Sequence, residues 1–159
     1  GALIAMRWDS YKTEKNDKKK ARTAWVLIRK EMEENLDTIN QNIQYFRKDI
    51  ELLKEKNTLV DTLSTYNTET WVLFKHNIVD SIVQNEESFV AISRIYSSLQ
   101  HLNIGIFHLL SFKEQSRALS SYTSIVSMKE ESLLEEHLWL SSAIPPLIEE
   151  IKTTEKKYL

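Results

Sequence analysis

Apolar residues recur at Trp25, Ile28, Met32, Leu36, Ile39, Ile43, Phe46, Ile50 and Leu53, in steps of three and four that average about 3.5. This is a narrow seam along one long helix, of the coiled-coil kind, predicted at about 19–56 and free to run back through the lysines toward Met6. Between the seam positions lie Arg29, Lys30, Glu31, Glu33, Glu34, Asp37, Arg47, Lys48, Asp49 and Glu51, which read as a solvated face. The stretch "NTLVDTLSTYNTET" is rich in Thr, Ser and Asn, whose side chains compete for backbone hydrogen bonds, and it reads as the non-helical connection.

A second helix is expected from Thr68 or Thr70, with Trp71, Phe74, Ile78, Val79 and Ile82 turned inward. "QNEES" marks the next boundary, with Asn85 as N-cap and Glu86 and Glu87 in the first turn. A third helix to about residue 111 shows the seam Phe89, Ile92, Tyr96, Leu99, Asn103, Ile106 and Leu110. A fourth is expected from Phe112–Glu114 through Leu119, Tyr122, Val126, Leu133 and Leu138, stopping or kinking before Pro145 and resuming from Pro146. Short connections then predict an all-α, up-down four-helix bundle with a long first helix and a Pro-kinked last one.

Composition narrows the chemistry. In 159 residues there are two glycines, two prolines and no cysteine, which leaves few turns for a sheet and excludes disulfides and thiolate sites. The four histidines, His76, His101, His108 and His137, lack the Glu-x-x-His spacing of a di-metal bundle, and no G-x-S-x-G, S-x-x-K or glycine-rich phosphate loop occurs. No catalytic residue, metal ligand or cofactor is therefore expected, and the chain reads as a non-enzyme. Trp25, Trp71 and Tyr96 fall on seams and are assigned to the core. Asn103 is a lone amide on a seam, read as a register device with Asn35 and Thr70 as possible partners, so that Asn103→Leu is expected to leave the domain folded or even stabilise it while loosening its register or oligomeric uniqueness.

Charge separates the chain into a basic end and an acidic body. Residues 1–30 carry nine Lys or Arg against three acids, whereas the whole chain carries 21 against 23. An acidic body repels phosphates, so nucleic acid is not an expected partner. The opening "GALIAM", followed by Arg7 and Trp8 and then Lys18, Lys19 and Lys20, has the order of a transmembrane helix end: apolar residues, an interfacial Trp, then bases facing acidic headgroups. On that reading residues 1–18 are a juxtamembrane segment and 19–159 a bundle on the cytoplasmic side. A tag-derived remnant or an ordinary solvated helix start are the competing readings.

The segments "RKEMEENLDTI", "TETW" and "IYSSLQHLNIGI", in that order, resemble a pattern in uncharacterised small membrane-anchored helical proteins of bacteria and archaea. Asn35, Trp71, Tyr96 and Asn103 are the corresponding positions, and Thr70 stands where Ala is usual before the Trp. The resemblance implies an anchored cytoplasmic bundle. The expected function is a membrane-tethered module that binds a protein partner or itself. The alternative is a ligand-sensing bundle that signals through its first helix.

Overall fold

The computed structural model describes residues 2–59, 62–79 and 86–158. Among these, all regular structure is helical: α1 spans Ala2–Lys54, α2 Glu69–Val79, α3 Glu86–Gln115 and α4 Tyr122–Lys156. The expected N-cap Asn85 and the inward Ile82 lie outside the described residues, as does the side chain of Val79. α1 runs unbroken across the 18/19 boundary, and its first buried residue is Ala21. The third helix ends later than its seam suggested. It continues through Lys113, whose side chain turns inward, and Leu119 lies half-exposed in the connection before α4.

The core forms where the seams meet. Trp25, Ile28, Met32 and Ile39 of α1 pack with Trp71 and Ile78 of α2, Ile92, Tyr96 and Leu99 of α3, and Leu140, Ile144 and Ile151 of α4. Trp71 stacks on Tyr96 with ring centres 5.3 Å apart, and Phe89 meets the indole at a tilt of 43° with the same separation. A second cluster at the opposite end gathers Tyr45, Phe46, Leu53, Leu109, Tyr122 and Val126. α1 packs chiefly on α4, and their contacts run in opposite order: Arg29 pairs with Glu155, while Phe46 meets His137. α3 and α4 likewise pair Ser88 with Glu150 and His101 with Glu136. Gly105 permits their close approach, since a Cβ there would lie 2.9 Å from Leu133.

Of the stop or kink expected before Pro145, the stop is corrected. The helix does not stop at Pro145 but continues through both prolines to Lys156. Both rings are exposed, while Ile144, Leu147 and Ile148 hold the same turns to the core. Leu138 is 38% exposed, and its neighbour His137 takes the buried position.

α1 ends in a Schellman turn: Asn57 N–H donates to the Leu52 carbonyl and Lys56 N–H to that of Leu53, with Lys56 left-handed at φ 59°. A lysine pays a steric cost there that glycine avoids. Lys56→Gly is therefore expected to raise unfolding free energy by about 0.5–1 kcal/mol, and Lys56→Val to lower it, as measured by urea denaturation.

Candidate functional site

Between α1 and α2 the chain crosses the bundle as an extended strap, residues 62–68, with no neighbouring strand among the described residues to satisfy its backbone. Asparagine side chains supply that pairing. In extended backbone the N–H and C=O of one residue point the same way, and a carboxamide offers the complementary pair. Asn42 donates to the Ser64 carbonyl at 2.8 Å and accepts from Ser64 N–H at 3.2 Å. Asn103 does the same with Tyr66, at 2.9 and 2.7 Å, and Asn35 with Asn67, at 2.8 and 3.2 Å. Two acids extend the row: Asp49 accepts from Leu59 N–H at 2.8 Å and Glu31 from Thr70 N–H at 3.0 Å. Glu31, Asn35, Asn42 and Asp49 follow steps of four, seven and seven along α1, a polar stripe beside the apolar seam. Tyr66 is the strap's anchor, buried against the His137 ring with its hydroxyl accepting from Asn42 at 2.9 Å.

This alters the reading of the seam amides. Asn103 and Asn35 hold the strap's main chain, Asn103 at Tyr66 and Asn35 at Asn67, and Thr70 meets Glu31 through its backbone N–H. Glu31 and Asp49, assigned to a solvated face, are buried. Trp25, Trp71 and Tyr96 lie in the core.

Behind the strap lies a buried ionisable cluster absent from the sequence reading. Lys113 Nζ donates to the Tyr45 hydroxyl at 2.7 Å, Asp49 Oδ2 at 2.9 Å and Glu130 Oε1 at 3.3 Å. The lysine side chain is 1% exposed and both carboxylates 0%. Burial, and the neighbouring Asp49, push the Glu130 carboxyl up to about 9. Burial would raise Asp49 too, but hydrogen bonds from Glu130, Leu59 N–H and Lys113 hold it below its ordinary value. Glu130 thus keeps its proton at neutral pH, and Lys113 and Asp49 leave the cluster with no net charge. Burial also raises Tyr45 to about 12. His137 is lowered by burial and stays neutral, its Nδ1–H donating to the Leu133 carbonyl at 2.7 Å. None of these groups opens to water, so their geometry serves packing, and no group of metal-ligating residues occurs among the described residues.

The exposed chemistry lies on the first 19 helical residues of α1. Residues 2–20 are all exposed and extend about 28 Å at 1.5 Å per residue. Ile4, Trp8, Tyr11, Lys15, Lys18 and Arg22 recur in steps of four and three along one face, flanked by Lys12 and Lys19 on one edge and Glu14 on the other, while Asp9 and Asp17 lie on the far side. Lys12 Nζ sits 5.4 Å from the Trp8 ring centre, and Tyr11 lies 6.2 Å away from it. Arg7 is exposed at the margin of this basic-aromatic face, and Lys20 is exposed on the opposite side of the helix. No helix among the described residues is long and apolar enough to cross a membrane.

The fold and its buried polar groups define an all-helical domain stitched to an internal extended strap. No protein-family model, curated protein or solved structure matches the chain.

Two outcomes follow from the buried groups. Asn42→Leu and Asn103→Leu are each expected to lower unfolding free energy by about 1–3 kcal/mol, with Asn42 the costlier because it also loses the Tyr66 hydroxyl; urea denaturation measures both. For Glu130, the folded carboxyl holds its proton to about pH 9 against an ordinary value of 4.5, so the native state binds the extra proton between them. Its contribution is full below 4.5 and is lost as pH rises through about 9. Glu130→Gln, which can accept from Lys113 and donate to Asp49 without titrating, should flatten the fall in stability over that range and be the more stable protein at its alkaline end.

Proposed function

We propose that this chain is a membrane-tethered, non-enzymatic helical module on the cytoplasmic face, whose N-terminal helix meets an acidic lipid surface while the body carries interactions. The observation that carries this reading is the face formed by Ile4, Trp8, Tyr11, Lys15, Lys18 and Arg22. It combines interfacial aromatic rings with a row of cations along the start of α1, whose residues 2–20 are all exposed. Residues 2–20 carry six bases against three acids, leaving 15 bases and 20 acids in the rest of the chain. Anionic headgroups would attract the first part and repel the second, which would hold the body away from the bilayer. An up-down body fits the opposite order of contacts along α1 and α4 and along α3 and α4, and Pro145 and Pro146 inside α4 are where its last helix would bend.

The chain should bind vesicles containing acidic lipid, bind neutral vesicles far less, and release as salt rises. A version lacking residues 1–20 should lose this binding. Lys18→Gln, Lys19→Gln and Lys20→Gln together should remove most of it, at about 1 kcal/mol per charge. Equal binding of the full and shortened chains in vesicle sedimentation would overturn the reading.

A further inference from the structure

The body carries an exposed apolar strip distinct from the arm. On α4, Met128, Trp139 and Pro146 are spaced 11 and seven residues apart, close to whole turns, and so share one outer stripe. Beside it, α3 and α4 leave a groove of about 210 Å³ floored by Ala91, Ala143 and Leu147 and walled by Trp139 and Pro146. Trp139 is 45% exposed at its edge. A half-exposed indole over alanines is costly to leave in water. The rim carries one base, Arg94 on α3, and one acid, Glu150 on α4. Arg94 makes no ion pair among the described residues, whereas Glu150 accepts a hydrogen bond from Ser88 at 3.1 Å.

A surface with an apolar centre, a base on one side and an acid on the other is complementary to its own copy. We propose that the α3/α4 face is an isologous dimer interface, its occupant the same face of a second chain. A two-fold axis parallel to the helices sets α3 of one copy against α4 of the other. It brings each Arg94 toward the partner's Glu150 and joins the two Trp139 stripes across the axis. The same axis points both N-terminal arms in one direction, as attachment to a single membrane surface requires. This inference names the partner of the interaction module proposed above, but its test is in solution without lipid, so each can fail without the other.

The test is sedimentation equilibrium of the full chain up to about 0.3 mM, a range that captures interfaces of modest size. The wild-type chain should show a monomer–dimer equilibrium. Trp139→Asp should abolish it. Arg94→Glu and Glu150→Arg should each weaken it about tenfold or more, by placing like charges opposite each other twice. An equimolar mixture of the Arg94→Glu and Glu150→Arg chains should dimerise again, because in the mixed pair every reversed charge meets its opposite. Circular dichroism matching wild type shows that each variant is folded. A wild-type chain that stays monomeric at the highest concentration would overturn the proposal. So would dimers unaffected by Trp139→Asp, or single variants that fail to complement each other when mixed.

Discussion

An extended segment laid across a helical bundle must find hydrogen-bond partners for its main chain, and helices have none to lend, because their own N–H and C=O groups are spent within each helix. Here that constraint is met by side chains. Asn42, Asn103 and Asn35 each return both bonds of one strap residue. Asp49 and Glu31 hold the N–H groups of Leu59 and Thr70 on either side of the strap. α2 begins immediately beyond, with Asn67 Oδ1 accepting from Glu69 N–H at 3.0 Å as its cap. The position of Trp71 against Tyr96 depends in turn on that helix starting where it does.

The buried cluster belongs to the same arrangement. Asp49 divides its oxygens between the connection ahead of the strap, at Leu59 N–H, and α3, at Lys113. The lysine passes the interaction to Glu130 on α4 and Tyr45 on α1. Three helices and the connection are thus joined at one end of the bundle through four side chains. Such a cluster adds little net stability over a well-packed apolar equivalent, but it tolerates only one arrangement of its members. That is a physical reason for the end of the bundle where α1 turns back to be uniquely arranged.

The body and the arm of α1 obey opposite rules on one continuous helix. From Ala21 onward every third or fourth side chain is spent on the core, and stability comes from packing. Before it, residues 2–20 are all exposed, and isolated helices of that length are marginal in water. A surface that receives the basic-aromatic face would remove this difficulty.

By itself the sequence determined the helices and much of their inward faces, because periodicity is a local property: the α1 seam and the placement of Trp25, Trp71 and Tyr96 needed no knowledge of what they would meet. It also marked the Thr- and Asn-rich connection as non-helical. The fate of the polar residues was decided only by tertiary structure. Asp49 and Lys113 look like ordinary helix-surface charges until residues 64 positions apart are brought to 2.9 Å, and Asn103 looks unpartnered until the strap lies beside it. One trace was legible, the spacing of Glu31, Asn35, Asn42 and Asp49, which sets a second stripe alongside the apolar one. Recognising it as the strap's ladder required the strap, since a side chain's burial is a property of its neighbours and not of its own position in the heptad.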